Sequence, residues 1–208
     1  ATLRVIKTFV GIIIGFVMMP FLLNGLGTHL YGLWITIGSV VASYYLLDLG
    51  FSQAVTRYVA RYIHQKDYDG ANRIIITSLV IYSILGLVVV LCSFIAANFG
   101  VNHFVESVDD IELVKILLII SGISLAFEFP AKAFPGVISA YMRFDTIAIV
   151  GLLKTIADAL LIYFVITSGY GLIAMSLVVF ATSILSTLFY VFYCTRLFKE
   201  LQFSTRFF

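Results

Sequence analysis

The chain has 208 residues, of which 62% are hydrophobic and 12% charged, with a formal net charge of +2; soluble domains carry roughly 25% charged residues. Thirteen Lys and Arg with eleven Asp and Glu are too few to cover a water-soluble globule of this size, which excludes a soluble domain. The near-neutral balance also gives no electrostatic footprint for nucleic acid, so no such partner is expected.

A spanning helix needs about 20 mostly apolar residues, and six segments qualify: approximately 5–26, 30–49, 74–98, 113–140, 146–167 and 171–194. The fold class expected is all-α, a polytopic bundle of about six transmembrane helices. Arg4 and Lys7 precede the first apolar run, which is too long for a signal peptide and is followed by no small-residue cleavage site. It therefore stays as the first span. Within it Pro20 predicts a bend, and Gly11 with Gly15 forms a small-xxx-small face that predicts close approach of a neighbour. The second span carries Thr36, Ser39 and Ser43 on one face and closes on Asp48 beside Gly50. Residues 52–73 continue with Arg57 and Arg61 one helical turn apart, beside Tyr58 and Tyr62. They read as an interfacial cytoplasmic helix whose arginines pair with anionic headgroups; the alternative is a phosphate-recognition surface for a lipid-linked substrate. Cys92 and Cys194 stand in apolar stretches with no CxxC or His nearby, as small packing residues.

Basic residues set the sidedness, because Lys and Arg of short loops are retained on the cytoplasmic side. Arg4 and Lys7 precede span one; Arg57, Arg61, Lys66 and Arg73 join spans two and three; Arg143 joins four and five; Arg196, Lys199 and Arg206 follow six. The alternate connections, near Gly27, at 99–112 and near Gly169, are almost free of Lys and Arg, with Lys115 the exception near that face. Both termini are expected in the cytoplasm. The outer loop instead carries Glu106, Asp109, Asp110 and Glu112.

Charges inside a bilayer cost about 2.5–3.5 kcal/mol each on insertion scales and usually face protein or a watery cavity. Span four holds Glu128 and Lys132, and span five Lys154 and Asp158, each pair at i, i+4 spacing. Lys132 and Lys154 are each eleven residues from Arg143, so like charges share a level and favourable contacts run within each helix or diagonally between them. In span four Ser121, Ser124, Glu128, Lys132, Pro135, Ser139 and Arg143 form one stripe, which should face water or a polar substrate rather than lipid. Span six carries a milder row of Ser176, Ser183, Thr187 and Tyr190. The quartet is either an ion-pair network tying two helices together or the lining of a hydrophilic lumen. In the second case Lys132 and Lys154 would offset substrate anionic charge and Glu128 or Asp158 would take up a coupling proton. Pro130 and Pro135 predict bends here too.

No HExxH, GxSxG, Walker loop or GxGxxG opening a helix is present, and His29, His64 and His103 are scattered among loops. Nothing assembles into an active site or calls for a cofactor or metal, so transport rather than catalysis is expected.

Pro20-Phe21-Leu22-Leu23, followed by Leu26-Gly27-Thr28-His29-Leu30-Tyr31-Gly32-Leu33-Trp34, resembles the first hairpin of polysaccharide-type oligosaccharide flippases. Leu47-Asp48-Leu49-Gly50-Phe51-Ser52-Gln53-Ala54 with Arg57-Tyr58-Val59-Ala60 is similar to the next block of that family, as are Phe129-Pro130 and Tyr141-Met142-Arg143-Phe144. The family lies in the multidrug, oligosaccharidyl-lipid and polysaccharide exporter superfamily, whose members have two six-helix lobes around a central cavity. The resemblance implies alternating-access flipping of a polyprenyl-pyrophosphate-linked oligosaccharide across a bacterial or archaeal cytoplasmic membrane. It maps the cationic cavity residues onto Lys132 and Lys154, and implies membrane lipids and glycan polymerases or glycosyltransferases as partners. Six spans match only the N-terminal lobe, so the chain is expected to be a fragment lacking the second lobe, or a half-transporter that dimerises. Two alternatives stand beside this reading: a multidrug efflux protein of the same superfamily, and a non-transporting membrane scaffold for glycan assembly. The acid expected in helix one of an efflux protein is absent from 5–26.

Overall fold

The computed structural model describes residues 2–101 and 107–197. Its regular structure is helical throughout, with no strand among the described residues. In chain order it comprises α1 (Thr2–Tyr44), a 3₁₀ turn (Tyr45–Asp48), α2 (Phe51–His64) and α3 (Tyr68–Ile95), which a π-helical turn continues (Ala96–Gly100). Then come α4 (Val108–Ala131), α5 (Ala133–Ala140), α6 (Phe144–Thr167) and α7 (Leu172–Leu197). His103, Glu106, Lys199 and Arg206 lie outside the described residues, as does the side chain of Asp109.

Five helical stretches are long and apolar enough to cross a membrane, against six expected spans. The difference lies in α1, where Gly27 alone leaves helical angles, with φ 78° and ψ 164°. Three apolar clusters stacked along the bundle show what happens there. The first contains Leu22, Ile37, Val101, Leu117, Ile166 and Met175; the middle one Tyr82, Val89, Leu125 and Phe129; the last Val55, Val59, Ala71, Ile75, Phe134 and Cys194. The first half of α1 enters the first cluster with Leu22, and the second half leaves it with Ile37 towards Tyr44 and Leu47 at the middle one. The chain therefore reverses at Gly27. Side-chain contacts agree: the Arg4 guanidinium lies 4.6 Å over the Phe144 ring and Phe21 stacks 4.9 Å from Tyr163, while His29 Nε2 is 2.9 Å from Asp110 Oδ2. The first half of α1 runs beside α6 in the same direction, and the second beside α4.

Three local expectations change. The interfacial helix expected over 52–73 ends at His64, because Lys66 takes φ 58° and the Asp67 carboxylate accepts from Gly70 N at 2.9 Å, capping a new helix. Residues 68–73 thus belong to α3, and α2 buries Val55 and Val59 against the bundle. Span four is broken at Lys132 into α4 and α5. Pro135 has no N–H to donate to the Ala131 carbonyl four residues back, so the ladder lapses where the prolines stand. Gly11 and Gly15 are not contact points either, since a Cβ on either would meet nothing within 4 Å.

In α1 the close approach is at Gly25, where a Cβ would collide with the Ile166 side chain of α6, and backbones come closest between α3 and α4. A Cβ on Gly86 would stand 2.9 Å from the Ala126 carbonyl oxygen and 3.2 Å from its Cα, and backbone cannot yield as a side-chain tip can. Gly86→Ala is expected to destabilise the bundle by about 1–3 kcal/mol through overpacking. Gly38→Ala, with open space around the new methyl, should be neutral or slightly stabilising. Thermal unfolding of the two detergent-solubilised variants checks the contrast.

Candidate functional site: a cationic cleft at the broken helix

Most of the membrane-buried polar chemistry converges where α4 gives way to α5. A cavity of about 270 Å³ is lined by Glu128, Lys132 and Pro135, by Lys154 and Asp158 of α6, by Ser183, Thr187 and Tyr190 of α7, and by Lys7 of α1. The quartet singled out in the sequence is thus brought to one place. Lys132 and Pro135 also line an adjoining cavity of about 350 Å³, with Arg4, Asp48 and Ser139. Arg4 and Lys7 share a third, of about 450 Å³, against α6.

The two i, i+4 pairs behave differently. Lys154 Nζ donates to Asp158 Oδ2 at 2.9 Å, with the two side chains 26% and 22% exposed. The Thr182 hydroxyl of α7 donates to the other carboxylate oxygen. Asp158 therefore ties two helices together as well as holding a lysine. Glu128 and Lys132 form no ion pair, because the helix breaks between their turns. The Tyr45 hydroxyl donates to Glu128 at 3.3 Å to each oxygen. The Lys132 ammonium lies 4.1 Å from the Phe129 ring centroid and 4.7 Å from that of Tyr45, a cation–π arrangement. Asp48, at the end of the 3₁₀ turn, accepts from the Tyr82 hydroxyl at 2.7 Å.

Each carboxylate of the cleft is consequently held by a hydroxyl, whereas among the described residues Lys7, Lys132 and Arg4 have no carboxylate partner. Lys7 reaches the cleft across Gly151, where a Cβ would collide with its side chain. Both α1 cations were read from sequence only as markers of sidedness. Their place beside Lys132 and Lys154 follows from the parallel packing of α1 on α6, which no local pattern displays.

The other expected site residues lie elsewhere. Ser124 is buried in protein, and neither it nor Ser121 lines the cleft. Arg57 and Arg61 are exposed on α2, and Arg143 sits in the α5–α6 turn with Nε 3.5 Å from Asp145. The hydroxyls of Thr36, Ser39 and Ser43 bond carbonyls of their own helix, so that row takes a back-bonded structural role. A separate cavity of about 230 Å³ beside Thr36 and Ser39 has no charged residue among the described residues of its wall.

Charges inside an apolar bundle usually face its interior or a watery cavity, and here they share one cleft. No curated protein and no solved structure matches the chain. The MatE family model matches residues 5–164, well over half of the chain. The protein accordingly belongs to the MatE family, which consists of membrane transporters rather than enzymes and lies in the multidrug, oligosaccharidyl-lipid and polysaccharide exporter superfamily.

Proposed function

We propose that this transporter flips a polyprenyl-diphosphate-linked oligosaccharide from the inner to the outer leaflet, with the diphosphate received by Arg4, Lys7, Lys132 and Lys154. The observation that carries this reading is the cleft itself: four cations from α1, the α4–α5 junction and α6, with the carboxylates between them already held by Tyr45, Tyr82 and Thr182. A diphosphate offers charge-assisted acceptors for which Lys132 can leave its aromatic faces, since a cation–π contact is worth only about 0.5–2 kcal/mol. The sidedness read from Lys and Arg puts Arg4 and Lys7 near the cytoplasmic face, where such a substrate is loaded.

In the full-length protein reconstituted in liposomes, Lys132→Ala and Lys7→Ala are each expected to slow flipping of a fluorescent diphosphate-linked lipid about tenfold, the loss of one charge-assisted bond. Unchanged flipping at normal expression would overturn the proposal. Drug efflux is the second reading because the Glu128 carboxylate is bonded by a phenol rather than by a lysine, leaving a negative charge for an organic cation. Dye efflux lost on Glu128→Gln, together with no lipid flipping, would favour it.

A further inference from the structure

The second half of α1 and α4 run in the same direction, and both are interrupted at one level. The first passes through the 3₁₀ turn to Leu49, at φ 44°, and Gly50, at φ 79°, before α2 begins. The second breaks at Lys132 before α5 begins. Asp48 and Lys132, one at each interruption, line the same cavity. Beyond the breaks α2 and α5 pack on each other: a Cβ on Gly136 would stand 3.3 Å from Val55 Cγ1 and 3.5 Å from Thr56 Oγ1, and α2 is the chief neighbour of α5. Two helices, each separated from its upper half by a turn at the depth of the cleft, thus pack on each other, with α3 against α2 and with α6 and α7 against α5.

The outer face of the α2–α5 pair is cationic. Arg57 and Arg61 are exposed opposite the buried Val55 and Val59, with Tyr58 47% exposed between them. The sequence of α2 contains no acid, and among the described residues neither guanidinium forms an ion pair. Asp67, the nearest following carboxylate, is occupied in capping α3. With Val55 beside Gly136, Arg57 and Arg61 lie about 3 and 9 Å further towards the α5–α6 turn. On the sidedness read from the basic residues, that is the level of the cytoplasmic headgroups.

We propose that anionic phospholipid headgroups of the cytoplasmic leaflet bind Arg57 and Arg61 and thereby set the position of the α2–α5 pair, and with it the width of the cleft at Asp48 and Lys132. The chemistry recognised is a phosphate monoanion beside hydrocarbon, which suits paired arginines flanked by an exposed tyrosine. Each arginine contributes roughly a fivefold bias. The proposal rests on the sidedness and not on the identity of the transported substrate.

The test compares the full-length protein in phosphatidylcholine nanodiscs and in nanodiscs that also contain phosphatidylglycerol, reading amide hydrogen exchange across α5. Phosphatidylglycerol is expected to slow exchange there several-fold in the unaltered protein. Arg57→Gln/Arg61→Gln should abolish the difference, and Lys66→Gln/Arg73→Gln should preserve it. These side chains are exposed, so the variants should fold, which size-exclusion chromatography checks. Equal exchange in both lipids, an undiminished response in the Arg57/Arg61 variant, or the same slowing produced by inorganic phosphate in phosphatidylcholine alone would overturn the proposal. None of these outcomes bears on which substrate is flipped.

Discussion

Lys154→Ala is expected to lower both the yield of folded protein and transport, whereas Lys154→Ala/Asp158→Ala should restore much of the yield and none of the transport. The reason is the asymmetry of a largely buried ion pair. Removing the lysine leaves Asp158 with the Thr182 hydroxyl as its remaining described partner, in a site where only 22% of the carboxylate side chain is exposed. An uncompensated carboxylate of this kind costs several kcal/mol when fully buried, and about 1–3 kcal/mol is reasonable with this partial exposure. Deleting the carboxylate as well removes that penalty, although the α6–α7 tie through Thr182 goes with it. The cation proposed to face the substrate is absent in both variants, so transport should fall by about tenfold or more in each. Measuring folded yield and flipping on all four members of the double-mutant cycle separates the two roles. Parallel behaviour of yield and transport across the cycle would instead make the pair purely structural.

The second large effect is expected at Gly27. With φ 78° and ψ 164° it occupies a region that is essentially closed to residues with a Cβ, at a cost of about 1–3 kcal/mol. No neighbour would be struck, since a Cβ there meets nothing within 4 Å, so any loss comes from the backbone alone. Gly27→Ala should lower the melting temperature, and Gly27→Val should do so further because its branched Cβ tolerates positive φ least. Gly32→Ala, in the same helical run and with equally open space, is the matched control. A melting temperature for Gly27→Val equal to that of Gly32→Ala would show that the reversal does not depend on this conformation.

The legibility of the site in the sequence is uneven for identifiable reasons. Glu128, Lys132, Lys154 and Asp158 were found because a charge in an apolar run is conspicuous at any alignment. Their pairing was not fully readable. The i, i+4 rule needs an unbroken helix, which α6 supplies to Lys154 and Asp158 and the proline-flanked break denies to Glu128 and Lys132. Serines are placed differently from the charges: Ser124 belongs to the same stripe but is buried against protein, since a hydroxyl is accepted in a helix interface as readily as in a cavity. Gly11 and Gly15 match a common packing motif, yet close approach is at Gly25 against Ile166 and at Gly86 against the Ala126 backbone. Every glycine in an apolar helix looks alike until a neighbour is placed beside it.

What the amino-acid sequence determined by itself is the solvent and the class of fold. A 62% hydrophobic chain with 12% charge suits lipid, and its unbroken apolar runs of about 20 residues are the length at which a helix closes its backbone hydrogen bonds across a bilayer. It also determined which polar groups had to find company within the bundle. Beyond the i, i+4 pair of Lys154 and Asp158, tertiary structure decided who that company is. The reversal at Gly27 lays the first half of α1 along α6 and carries Lys7 and Arg4 to the cleft, and the break at Lys132 hands Glu128 to Tyr45 and the lysine to two aromatic faces. Apart from Lys132 on Phe129, three residues back, these contacts join residues tens to more than a hundred positions apart, and helical periodicity constrains only neighbours three or four residues away.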